Sequence, residues 1–261
     1  MRALFTAATG MEAQQLRIDA VANHLANVTT TGFKRTRADF HDLFYDTIRA
    51  PGAAASTGEA LPVGVQVGHG TKLAAMSKVY SQGDRTSTGR SLDLAVDGDG
   101  FFQVQRPAGD TAYTRDGAFR LDRDGTLVTS QGYAVLPNIQ LPTDAVQVTI
   151  LADGTVSVLT GQSTQPTDVG QIELARFVNP SGLLSIGNNL LVPSEASGDP
   201  ETGRPDDPGF GAISQGMLES SNVNIAEELV QMILAQRAFE VNSRVIQAGD
   251  EMLRTAAALD R

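Results

Sequence analysis

The sequence predicts an α+β protein. N- and C-terminal helices pair as a coiled-coil-like axial domain, with an inserted all-β domain and extended linkers between them. Three observations predict it. Large apolar residues recur every seven positions at both chain ends. The middle of the chain alternates apolar and polar residues around repeated Asp-Gly pairs. Two stretches rich in Gly, Ala and Pro frame that middle.

At the N-terminus, Leu4, Met11, Ile18 and Leu25 share one spacing, with Ala8, Val21 and Val28 close to the same face. A sustained seven-residue period is the signature of a helix seam that packs lengthwise on other helices. Gly32, after a Thr run, is the expected stop. At the C-terminus, Ile225, Met232, Phe239, Ile246 and Leu253 repeat the same period. Asn224 is placed to cap this helix, and Glu227 follows three residues later as in a capping box. At about 1.5 Å per residue each helix should run roughly 40–45 Å. Their narrow faces bury little alone, so the pair should meet further copies, and the isolated monomer should keep its ends partly unfolded.

Between the ends, SLDLAVDGDGFFQVQ (91–105) and YTRDGAFRLDRDGTLVT (113–129) read as short strands joined by Asp-Gly turns. VQVTILADGTVSVLT (146–160) alternates on both sides of Asp153-Gly154 and predicts a hairpin, and IELARFV (172–178) predicts another strand. Residues 49–70 and 193–211 read as extended linkers. The division expected is a helical axial domain of 1–38 with 214–261, linker and bracing segments of 39–84 with 193–213, and a β domain of 85–192.

Composition narrows the chemistry. The net charge is −10 with no dense basic stripe, the opposite of a nucleic-acid binder. The absence of Cys removes disulfides, thiolate catalysis and thiolate metal sites together. No apolar run reaches the roughly 20 residues that span a bilayer. Polar residues interrupt MRALFTAATGMEAQQ from Glu12 onward, which makes it a poor secretory signal; export, if it occurs, should run without a cleaved leader. Neither Asp97–Gly100 nor Asp122–Gly125 completes a calcium loop, because the end ligands are missing. No nucleophile-elbow or phosphate-loop pattern is present, and His24, His41 and His69 are not spaced for a shared metal. A hydrolase or ligand-binding β domain is the alternative from a different class.

ANHLANVTTTGFKR (22–35) resembles the N-terminal signature of the flagellar rod, hook and hook-associated proteins. LESSNVNIAEELVQMILAQRAFEVNSRVIQAGDEML (218–253) resembles their C-terminal signature. SLDLAVDGDGFFQV and AYTRDGAFRLDRDGTLVTSQGY resemble the central segments of the rod and hook group. DFHDLFYDTIRAPGAAASTG (39–58) with LPVGVQVGHGTK (61–72) looks like the extended segment of its distal-rod members, with proximal rod or short hook-type subunits as the runner-up.

The resemblance implies a structural subunit of a bacterial flagellar basal body, without enzymatic activity or cofactor. It implies export by the flagellar type III apparatus and polymerisation into a hollow drive shaft crossing the periplasm. The implied partners are further copies of the chain, proximal rod proteins, hook protein and the P- and L-ring bushing. No nucleic acid and no membrane insertion are expected. The residues expected at the assembly interface are Leu4, Met11, Ile18, Leu25, Ile225, Met232, Phe239, Ile246 and Leu253. Asn23 and Asn27 join them as amides that fix register where Leu alone would slide.

Overall fold

The N-terminal apolar period forms α1 (Arg2–Ala26), and the C-terminal period forms α2 (Ile225–Leu259). In the computed structural model, which describes residues 2–51, 63–107, 109–161 and 165–259, two α-helices flank a central all-β region. Part of the bracing segment, 52–62, lies outside the described residues. The α+β expectation holds at that level. The lengths differ from the expectation: 25 and 35 residues give about 37 Å and about 52 Å. α1 stops at Ala26 because the amides that follow turn the chain locally. Thr30 donates its N–H to the Asn27 carbonyl (3.1 Å) and its hydroxyl to the Asn27 side chain (3.2 Å). The expected cap of α2 is present, since Asn224 Oδ1 accepts the Ala226 N–H at 3.1 Å.

The chain divides into two compact units. The first comprises residues 1–25, 36–77 and 224–261. It holds both helices and the strands β1 (Thr36–Asp42), β2 (Tyr45–Arg49), β3 (Val65–Gly68) and β4 (Thr71–Lys78). β1 pairs with β4, and β2 pairs antiparallel with β3. α1 and α2 run antiparallel. Arg17 Nη2 donates to Gln231 Oε1 at 2.6 Å, and His24 meets Glu228 at 3.0 Å.

The second unit, residues 26–35 with 78–223, is the β region. Its central strand is Phe101–Gln105, which pairs with Thr111–Thr114, Ala134–Val135 and Leu174–Arg176. Alternation along this strand feeds two cores, as the two-residue period requires. Phe102 and Val104 join the main cluster with Leu94, Val96, Phe119 and Ile172. Phe101 points into a second cluster with Tyr113, Phe177 and Leu191. Edge-to-face rings tighten both clusters, Phe102 on Phe119 at 5.0 Å and Tyr113 on Phe177 at 4.8 Å.

The predicted hairpin at 146–160 forms between Ala145–Ile150 and Thr155–Thr160, with Gly154 at positive φ in its turn. The turn at Asp122–Gly125 joins the paired strands Arg120–Leu121 and Leu127–Val128. Asp97–Gly100 is different. Leu94–Asp97 pairs with Ala212–Gln215, whereas Phe101–Gln105 belongs to another sheet, so this turn passes the chain between sheets instead of closing a hairpin. Residues 193–213, read as linker, also differ. Glu201–Gly203 pairs with Leu174–Arg176, and Ala212–Gln215 covers the otherwise open edge of Leu94–Asp97. Their Pro and Gly residues make the bends between these short strands.

Candidate assembly interface

The face joining the two helices is built from small and polar residues. Ala7, Ala13, Val21 and His24 of α1 are buried, as are Glu228, Ala235 and Gly249 of α2. A methyl group on Gly10 would come 2.8 Å from Asn242 Nδ2, and one on Gly249 would come 2.5 Å from Leu4 Cδ2. Each helix therefore seats a side chain in a gap left by a glycine of the other. Small residues let the backbones approach closely, and Asn242 reads the position of Gly10.

Leu4 packs in this face against Gly249, and the other predicted residues flank it or lie beyond it. Leu4, Met11, Ile18 and Leu25 are half-buried, as are Met232, Phe239 and Ile246. Ile225 and Leu253 are exposed. Leu253 lies four residues beyond Gly249, which already packs on Leu4, so α1 is too short to cover it. Asn23 is exposed and Asn27 half-buried. Asn222 acts inside the β unit, where its Oδ1 accepts the Arg35 N–H (2.8 Å) and its Nδ2 donates to the Val79 carbonyl (2.8 Å).

Sequence reasoning missed a second apolar row on α2. Val230, Leu234, Val241, Val245 and Met252 follow spacings of four and seven and are all exposed. These spacings sum to an eleven-residue repeat, close to a whole number of helical turns, which keeps the row in one stripe along the helix. Leu229 and Ile233 widen it. An exposed apolar strip of this extent marks an interaction surface. The signal was present in the sequence, but the Ile225-to-Leu253 period drew attention to one row only.

The strands of the first unit run back along α1. Thr71 donates its N–H to Thr9 Oγ1 (3.4 Å), and Arg2 pairs with Asp46 at 2.5 Å. The β2–β3 pair shows Tyr45, Ile48, Val65 and Val67 to solvent, and Phe44 just before it is 89% exposed.

The β unit holds a buried ionic cluster that no local sequence signal announces. Lys34 Nζ donates to Glu219 Oε1 at 2.5 Å and to the Ser81 carbonyl at 2.9 Å. The Gly83 N–H reaches the same Glu219 oxygen at 3.0 Å, and Arg115 Nη1 lies 3.5 Å from Oε2. Burial pushes the Lys34 ammonium below the usual lysine range, against the pull of Glu219. Burial likewise lowers Arg115. One carboxylate thus serves two buried cations. Lys34 and Glu219 do sit inside the two quoted terminal signatures, so their pairing was legible only as a resemblance between distant segments.

Among the described residues, no group of three or more His, Cys, Asp or Glu is placed to hold a metal. No described helix is long and apolar enough to cross a membrane. Long helices with apolar rows open to solvent, in a chain that also carries a β unit with its own core, define a subunit suited to lengthwise assembly. Three family models match: flagella basal body rod protein over residues 4–34, flagellar hook protein FlgE/F/G D1 domain over 95–158, and flagellar basal body rod FlgEFG protein C-terminal over 214–259. The flagellar basal-body rod protein FlgG of Borreliella burgdorferi is 51% identical over 263 residues, covering 100% of this chain and 99% of that protein. Its namesake in Bacillus subtilis is 41% identical, with 100% of both chains covered. The flagellar hook-basal body complex protein FlhP of the same organism is 30% identical, with 97% of each covered. The chain belongs to the flagellar basal-body rod protein family, a family of structural subunits and not of enzymes.

Proposed function

We propose that this chain polymerises into the distal rod of a bacterial flagellum, a stiff hollow shaft that carries motor torque to the hook and conducts exported subunits. The observation that carries the reading is the exposed row Val230, Leu234, Val241, Val245 and Met252, left open to solvent on a helix that also holds α1. Burying a large apolar side chain stabilises by about 1.5–3 kcal/mol, so each copy added to a polymer gains from this row several times over. A surface that meets a different surface on the next copy, without closing, generates a helical filament. The α1–α2 pair is the coiled-coil-like axial element, with Leu4 seated on Gly249 inside it and Met11, Ile18, Leu25, Met232, Phe239 and Ile246 on its flanks available to neighbours. Asn23 and Asn27 set register there.

The strands between Thr36 and Lys78 act as the brace, and the apolar side chains of β2 and β3 dock on the adjacent copy. Proximal rod proteins supply the base, hook protein the tip, and the P- and L-rings the bushing. The type III apparatus delivers the chain without a cleaved leader, and the rod crosses the periplasm. Identity is higher to the rod protein of Bacillus subtilis than to its hook-basal body paralogue, which supports the rod assignment. Negative-stain microscopy of the purified chain with rod-nucleating partners tests the proposal. Tubes are expected; particles that never elongate overturn it.

A further inference from the structure

Of the three histidines, His41 is exposed, His69 is half-buried and His24 is buried. His24 lies in the last turn of α1, and its ring contacts two other segments of the chain. Nδ1 lies 3.0 Å from Oε2 of Glu228 in the first turn of α2. Nε2 lies 2.9 Å from the backbone nitrogen of Thr36, the first residue of β1. A backbone N–H only donates, so Nε2 carries its lone pair toward Thr36. The single ring proton is therefore on Nδ1 and is donated to Glu228. The contact with Glu228 is a hydrogen bond from a neutral ring to a carboxylate.

The partner of one ring nitrogen decides which tautomer the other presents. Glu228 belongs to α2 and meets the opposite nitrogen of the ring from Thr36, yet by holding the proton on Nδ1 it turns Nε2 into an acceptor. We propose that His24 is a positioning residue that makes the docking of β1 on the helices conditional on α1–α2 pairing. Without α2 alongside, nothing from Glu228 fixes the proton, and Thr36 loses a dedicated acceptor. With α2 in place, the ring accepts the Thr36 N–H and starts the strands that run back along α1 to Thr9 and Arg2. The inference goes beyond polymerisation and holds for a single copy whether or not that copy forms rods.

Imidazole ¹⁵N NMR on the full chain, with His41→Asn and His69→Asn used for assignment, reads the tautomer directly. An unprotonated Nε2 and a proton-bearing Nδ1 on His24 are expected. A ring protonated at Nε2 overturns the proposal. Hydrogen exchange of the Thr36 amide gives the coupling. His24→Ala should speed it about tenfold, and Glu228→Ala should do the same although Glu228 bonds the other ring nitrogen. His24→Gln, whose side-chain carbonyl accepts a hydrogen bond, should restore most of the protection. Unchanged Thr36 exchange in Glu228→Ala overturns the coupling.

Discussion

Lys34 and Glu219 meet at 2.5 Å across 185 positions of sequence, with side chains 3% and 0% exposed. Glu219 also faces Arg115, so its removal leaves two buried cations without their shared anion. Breaking a buried ionic contact from one side typically costs about 3–5 kcal/mol. Glu219→Ala should therefore destabilise the β unit by that much. Lys34→Met should cost less, because Glu219 keeps Arg115 and the Gly83 N–H. Urea denaturation followed by tyrosine fluorescence reads both, since the chain has no Trp.

The same cluster sets a pH dependence. The folded pKa of Lys34 is depressed below the model-peptide value of 10.5, mainly by burial. Between the folded value and 10.5 the unfolded chain binds more protons, so this group's contribution to stability rises with pH there and is lost as pH falls through the folded value. Deprotonation also leaves Arg115 and Glu219 as a balanced pair. Relative to Lys34→Met, the wild-type chain should gain stability as pH is raised from neutrality toward 10.5, measured by the same denaturation series.

Gly10 and Asn242 should behave as one unit. A glycine inside a helix normally costs about 1 kcal/mol against alanine, so Gly10→Ala ought to stabilise an isolated α1. In the helix pair its methyl meets Asn242 Nδ2 at 2.8 Å, and the gain should vanish or reverse. Adding Asn242→Ala should recover it. A double-mutant cycle on helix-amide exchange measures the coupling; additive effects would remove the register role given to Asn242.

Gly117 has no room for a side chain, because an added Cβ would sit 1.6 Å from the Leu94 carbonyl oxygen. That approach accompanies the bond from the Leu94 N–H to the Gly117 carbonyl at 3.0 Å. Gly117→Ala should prevent the core around Leu94 and Phe119 from closing. Loss of the cooperative unfolding transition is the expected result, with Ala118→Gly as a neighbouring control.

Periodicity carried the division of the chain a long way. The period of seven placed α1 and α2, and the period of two with Asp-Gly turns placed the hairpin at 146–160. It did not reveal what joins the helices. Close approach is made by Ala7, Ala13, Ala235, Gly10 and Gly249, which contribute little to an apolar pattern. Pairing over long separations was equally hidden. Asp97–Gly100 looks like a hairpin turn locally, but Ala212–Gln215 arrives from more than a hundred residues away to take the partner's place. Lys34, Arg115 and Glu219 read as ordinary charged positions until the fold places them together.

The assembly role of the outer row on α2 can be tested at a single position. The chain contains no Cys, so Val241→Cys introduces the only thiol at a site that is 59% exposed. The row predicts that this thiol is shielded from alkylation in assembled tubes, whereas it reacts readily in the unassembled chain. A Val241 thiol that remains free and readily alkylated in intact tubes would contradict the account.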